Sequence, residues 1–252
     1  GVEAARARFR ELPRKPVFPE VRAEDRVIDG VPVRVYWPAD VEPSAPVVLF
    51  FHGGGWVVGD LDTYDGTARL HAAGTGAVVV SVDYRLAPEH PFPAAVDDVW
   101  AVTQWVAAHA EEIGGDPNRL AVAGDSAGGN LAAVVAQLAR DAGITLRAQL
   151  LWYPATTWDT SLPSFTENAD APVLGRDAVG GFSLLYATGV DLRNPPAALV
   201  PARAESLAGL APAYIAVAGY DPLRDDGIRY GEMLTAAGVS VEVHNAETLV
   251  HG

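Results

Sequence analysis

Six short apolar runs, at residues 47–51, 77–82, 120–123, 148–152, 214–217 and 239–243, punctuate the chain. They are rich in valine, leucine and alanine and mostly lack a strict apolar-polar alternation, so they read as strands buried on both faces of a parallel sheet. Between them lie stretches with helix-compatible spacing at 94–109, 128–142 and 226–237. The order is that of repeated βα units. Upstream, Val27-Ile28, Asp29-Gly30 and the run 31–37 predict a β-hairpin, because an Asp-Gly pair readily takes the positive φ of a tight turn.

Two regions depart from this rhythm. Residues 1–24 carry apolar and basic side chains at roughly helical spacing until Pro13, Pro16 and Pro19 interrupt it, which suits an arm or part of a lid. Residues 155–211 are rich in Thr, Asp, Pro and Gly, with one helix-like stretch at 177–187. A structureless loop of that length is implausible in a compact domain. It is read as a helical insertion over the carboxyl ends of the strands, where open α/β sheets bind ligands. The expectation is one α/β domain over residues 1–252, its mostly parallel central sheet flanked by helices, with cap elements at about 1–24 and 155–205.

Candidate chemistry sits directly after the apolar runs. Ser126 lies in Gly124-Asp125-Ser126-Ala127-Gly128, between the run 120–123 and a long small-residue helix. That arrangement puts a hydroxyl on a sharp strand-to-helix turn, with the helix directing free N–H groups and a partial positive charge at it. His52-Gly53-Gly54-Gly55-Trp56 follows the run 47–51, and three successive glycines let consecutive amides face one point. The loop lacks both spacings used by nucleotide cradles, which disfavours phosphate binding. His52, directly before the glycines, reads as a structural hydrogen-bonder.

A serine nucleophile needs an imidazole to take its proton and a carboxylate to hold that ring. Of six histidines, His71, His90 and His109 fall in early helical or loop segments and His244 lies within a strand, whereas His251 follows the last strand on a loop. Asp221 comes just after the run 214–217, while Asp225 and Asp226 sit where a helix begins and are expected to stabilise its amino end.

Composition narrows the partners. The net charge of −14, from 32 acidic against 18 basic residues, argues against nucleic acid and anionic membrane surfaces. No apolar run approaches the roughly 20 residues needed to cross a bilayer, so stable membrane insertion is not expected. The absence of cysteine removes disulfides and thiolate nucleophiles and makes a reducing cytoplasm the simplest compartment. A chain that begins at Gly1 leaves room for a leading segment.

Taken together, His52-Gly-Gly-Gly-Trp56, Asp83-Tyr-Arg-Leu-Ala-Pro-Glu89 with Pro91-Phe-Pro-Ala-Ala95, Gly124-Asp-Ser-Ala-Gly-Gly-Asn130, Asp221-Pro-Leu-Arg-Asp-Asp-Gly227 and His251-Gly252 resemble the hormone-sensitive-lipase-like family of α/β-hydrolases, in its bacterial carboxylesterase branch. The resemblance extends over nearly the whole chain. It implies Ser126 as nucleophile with Asp221 and His251 as triad partners, and an oxyanion hole from the amides of the Gly53, Gly54, Gly55 loop and of Ala127. It also implies a lid made by the amino-terminal arm and the insertion, and a bracing role for residues 84–95. Family members continue past the His-Gly pair, so further residues are expected beyond Gly252.

The function expected is hydrolysis of short- to medium-chain acyl esters through an acyl-enzyme, with a small-molecule ester as partner and no metal or organic cofactor. Trp56, Asp125, Phe182, Leu185 and Tyr186 are the expected substrate-pocket residues. A homodimer is allowed. An amidase or lactonase on the same triad stays open, as does a non-catalytic small-ligand receptor on this fold, whereas an interfacial lipase would want a large exposed apolar face.

Overall fold

The structure, a computed structural model, describes residues 1–12, 14 and 17–252. Its eight strands are β1 (Arg22–Ile28), β2 (Val31–Trp37), β3 (Ala45–Phe51), β4 (Val78–Val82), β5 (Gly115–Asp125), β6 (Leu146–Trp152), β7 (Ala213–Tyr220) and β8 (Val241–Val250). They form one sheet in the order β1-β2-β4-β3-β5-β6-β7-β8. The β1/β2 and β2/β4 pairs are antiparallel and all others parallel. The expected hairpin is the β1–β2 unit, turning at Asp29 (φ 49°) and Gly30 (φ 81°).

Alternation within the central strands feeds two cores. Val47, Leu49 and Phe51 of β3 face one apolar cluster, and Val48 and Phe50 face the other. A strand whose both faces are covered has no solvent side to keep polar, which is why β4, Val-Val-Val-Ser-Val, is buried throughout. Helix α2 (Asp65–Thr75) covers the second cluster through Ala68 and Ala72. Helices α3 (Ala94–His109), α4 (Ala127–Asp141) and α7 (Arg224–Ala236) contribute to the first cluster.

The amino-terminal arm begins with α1 (Val2–Glu11), which buries no residue of its own. Pro13 and Pro16, expected to interrupt it, lie outside the described residues. The 155–211 region holds α5 (Pro163–Glu167), α6 (Arg176–Tyr186) and a 3-10 turn at Pro201–Arg203, so its helical content exceeds the single stretch expected. Among the described residues, no helix is long and apolar enough to cross a membrane.

Candidate active site

Four parallel strands deliver the site. His52 is the first residue past β3, Ser126 past β5, Asp221 past β7 and His251 past β8. Parallel strands end on the same edge of a sheet, so residues as far apart in sequence as 52 and 251 converge without any local signal linking them.

Ser126 adopts φ 55° and ψ −115°, a conformation that non-glycine residues take only when their surroundings impose it. Here the backbone imposes it: the Ser126 N–H donates to Trp152 O at 2.8 Å, and its carbonyl accepts from Asn130 N at 3.0 Å and Ala155 N at 3.3 Å. Gly124 and Gly128 have no alternative. A Cβ on Gly124 would run into the Gly128 carbonyl, and one on Gly128 into the Phe51 carbonyl, so the strand-turn-helix unit closes only with hydrogen at both positions.

From the serine a relay runs inward. Ser126 Oγ lies 2.9 Å from His251 Nε2, and His251 Nδ1 lies 2.6 Å from Asp221 Oδ2. A carboxylate only accepts, so Nδ1 carries the hydrogen and Nε2 offers its lone pair to the serine hydroxyl. The other oxygen, Asp221 Oδ1, accepts from Leu223 N at 2.8 Å. Asp221 is fully buried, whereas Ser126 and His251 keep 9% and 8% exposure, enough for a reacting group to reach them from one side. The Tyr153 ring leans on His251 with centroids 4.5 Å apart and packs the imidazole in place.

Beside the serine, the glycine loop folds on itself through Val57 N and Val58 N, both donating to Gly54 O at 3.0 and 2.9 Å. Gly54 (φ 108°) and Gly55 (φ 58°) need the left-handed half of backbone space, which glycine enters without strain. The Gly54, Gly55 and Ala127 amides make no hydrogen bond to another described residue. Gly53 differs. Its N–H donates to Asp125 Oδ1 at 2.8 Å, so its expected place in the oxyanion hole is corrected: the amide is already committed to a carboxylate.

Asp125 is likewise displaced from its expected role. It is not among the cavity walls but sits behind the loop, where it also accepts from the Tyr64 hydroxyl at 2.9 Å. Burial raises its carboxyl to about 6, against the opposing pull of Tyr64 and Gly53. His52 is structural, as expected from sequence: Nδ1 donates to Gly53 O at 2.6 Å, and the ring stacks on Tyr84 at 4.3 Å. Burial lowers this imidazole to about 4, so it stays neutral near pH 7. The Tyr84 hydroxyl donates to His52 O at 2.6 Å, which gives part of the 84–95 segment its bracing contact.

Ser126 opens onto a cavity of about 730 Å³ whose walls are mainly apolar and include Gly55, Trp56, Ala127, Trp158, Phe182 and Met233. Of the expected pocket residues, Trp56 and Phe182 line it. Leu185 and Tyr186 do not: Tyr186 is fully buried behind Trp56, its ring stacked at 4.4 Å, and so supports the wall from outside. Leu185 and Tyr186, three and four residues on, share the helix face of Phe182 but lie a turn further along α6, past the cavity that Phe182, Ser183 and Leu184 line.

Asp225 and Asp226 stand in the first turn of α7, as expected of residues that stabilise its amino end, and they also tie that helix to the insertion. Asp226 accepts from Thr156 N at 3.1 Å, and Asp225 Oδ2 from Ser164 N at 2.8 Å. Burial raises the Asp226 carboxyl to about 6. Sequence reasoning missed these ties, and it missed Tyr64 and Tyr153, whose partners lie 61 and 98 residues away in the chain.

The profile of the alpha/beta hydrolase fold family matches residues 48–252. The esterase LipI of Mycobacterium tuberculosis is 64% identical, with all of this chain covering 81% of that protein. Carboxylesterase NlhH of the same organism is 58% identical, with 100% of this chain and 82% of its own length covered. Among solved structures, a thermostable esterase from Pseudomonas putida ECU1011 superposes with a TM-score of 0.95 at 40% identity, covering 100% of this chain and 81% of that one. The chain therefore belongs to the α/β-hydrolase family, in its hormone-sensitive-lipase-like carboxylesterase branch.

Proposed function

We propose that this protein is a carboxylic-ester hydrolase that works through an acyl-enzyme on Ser126. One observation carries the reading: the Asp221–His251–Ser126 relay, at 2.6 and 2.9 Å, ends at an apolar cavity that Gly55 and Ala127 also line. His251 Nε2 takes the Ser126 proton as Oγ attacks the ester carbonyl, and Asp221 stabilises the imidazolium that forms. The carbonyl oxygen becomes an oxyanion in reach of amides with no other partner among the described residues. Collapse breaks the bond to the alcohol oxygen, which leaves with the proton from His251. A water then attacks the acyl-serine by the same route and releases the acid.

The named esterase relatives support a small-molecule ester as substrate. The cavity supports the size class: at about 730 Å³ it accepts short to medium acyl groups with room for the alcohol portion. The arm at 1–24 and the insertion at 155–205 act as its cap, the latter supplying Trp158 and Phe182 to the walls.

Nitrophenyl esters of rising acyl length test both parts. Turnover should peak at short or medium chains, and Ser126→Ala should lose about four or more orders of magnitude in kcat while its melting temperature holds. A fluorophosphonate should label the native protein at Ser126 and leave the variant unlabelled. Equal turnover in the variant removes Ser126 from the nucleophile's role, and a preference for long chains overturns the size class.

A further inference from the structure

Helix α1 has no fully buried residue, yet its Arg6 is fastened to the protein by a complete set of hydrogen bonds. Arg6 Nε donates to Val57 O at 2.9 Å and Nη2 to Ala87 O at 3.0 Å. The remaining donors go to carboxylates: Nη1 to Glu3 and Glu89 at 2.9 and 2.8 Å, and Nη2 to Glu89 at 2.7 Å. Only 13% of the Arg6 side chain is exposed. The two carbonyls it bridges flank a backbone bond from Ala87 N to Trp56 O of 2.8 Å, so the guanidinium pins the downstream end of the glycine loop to the Tyr84–Glu89 segment.

The upstream end is reached from the same helix. Phe9, one turn beyond Arg6, stacks on Tyr64 with ring centroids 6.1 Å apart. Tyr64 in turn donates to Asp125, and Asp125 holds the Gly53 N–H. Between these anchored ends lie Gly54 and Gly55, two residues with the widest conformational freedom and with amides that meet no other described partner.

We infer that α1 is a brace for the glycine loop, in which Arg6 is a positioning residue that sets the aim of the Gly54 and Gly55 amides by fixing Val57 O. The inference rests on the proposed role of those amides as oxyanion donors. A donor displaced by part of an ångström loses little affinity for a ground-state ester but much of its hold on the oxyanion. The loss therefore belongs in kcat.

Arg6→Gln and Arg6→Lys, assayed on nitrophenyl butyrate with Arg8→Ala as the control, test this. Arg8 is exposed and, among the described residues, bonds only within its own helix, so its variant should match the native enzyme. Arg6→Gln should lower kcat about ten- to a hundred-fold with KM within about twofold. Its affinity for a trifluoromethyl ketone, which adds to the serine as an oxyanion, should fall by the same factor. Lysine can reach one carbonyl but not both, so Arg6→Lys should recover part of the loss. Glu89→Gln, at an exposed position that keeps every backbone contact, should give a smaller loss of the same kind and decides the matter if Arg6→Gln does not fold. A folded variant with native kcat, or a defect confined to KM or melting temperature, overturns the brace. A native enzyme without ester turnover instead overturns the proposed function.

Discussion

The turn that carries Ser126 and the loop that faces it meet at one point, yet they are held by different means. Around Ser126 the constraints are backbone: a strand before it, a helix after it, and carbonyl and amide bonds to Trp152, Asn130 and Ala155. Around Gly53 to Gly55, side chains from elsewhere join the loop's own backbone bonds to Gly54 O: Asp125 on Gly53, Tyr84 on His52 and Arg6 on Val57. Secondary structure is stiff and cooperative, so the nucleophile inherits its precision from the fold itself. The loop gets its precision from tertiary contacts that single substitutions remove, which makes oxyanion stabilisation the more adjustable half of the site.

Placing one methyl group in each region separates the two. Gly128→Ala would drive a Cβ into the Phe51 carbonyl, where backbone meets backbone and neither β3 nor α4 can yield without the other. The cost should be about 1–3 kcal/mol or more in stability, with turnover falling at least a hundred-fold. Gly53→Ala would meet the Asp125 carboxylate first, the end of a side chain that can turn away, and its carbonyl less closely. It should melt closer to the native protein and still lose about ten-fold or more in kcat, because Asp125 must leave the Gly53 amide to make room. Thermal melts beside kcat for the two variants make the comparison, and equal losses of stability would erase the distinction.

The same contrast explains what was legible in the sequence. Strands β3 to β7 and helices α3, α4 and α7 follow from apolar runs and helical spacing, and the residue after each key strand could be named from chain order alone. Helix α2 escaped because it is short and its buried face is only Ala68 and Ala72, too little contrast for a periodic signal. β5 and β8 extend well past the runs that announced them, since register with neighbouring strands, which no local pattern encodes, sets their ends. At the site, glycine patterns marked where amides would gather but not which were free. That Gly53 is already bonded, and that Arg6, Tyr64 and Asp125 hold the loop, depends on contacts spanning 51 to 72 residues.

A smaller effect separates the loop's support from its chemistry. Asp125→Asn keeps an acceptor for Gly53 N–H and can turn its amide toward the Tyr64 oxygen, so the charge is lost and the Tyr64 O–H gives up its acceptor there. Exchanging a charge-assisted hydrogen bond for a neutral one costs about 1 kcal/mol, and kcat should fall roughly five- to ten-fold with KM little changed. A loss confined to KM would put Asp125 back at the substrate.

Titration of the same carboxyl gives the finest test. Its value in the folded protein is raised to about 6 by burial, above the 3.8 of an exposed aspartate, so the native state binds the proton more tightly than the unfolded chain. Its contribution to stability is thus fully present below about pH 3.8 and is lost as pH rises through 6. Across pH 4 to 7 that amounts to as much as about 3 kcal/mol, which Asp125→Asn, with nothing to titrate there, should not lose. Urea denaturation at half-unit pH steps should show the variant gaining on the native protein over this window and holding a constant difference above about pH 7. Activity should run the other way, because above pH 6 the ionised carboxylate grips the Gly53 amide more strongly. Stability curves that stay parallel from pH 4 to 7 would mean that Asp125 is already ionised throughout, and that the loop is steadied by a permanent charge whose burial the neighbouring N–H and O–H donors fully offset.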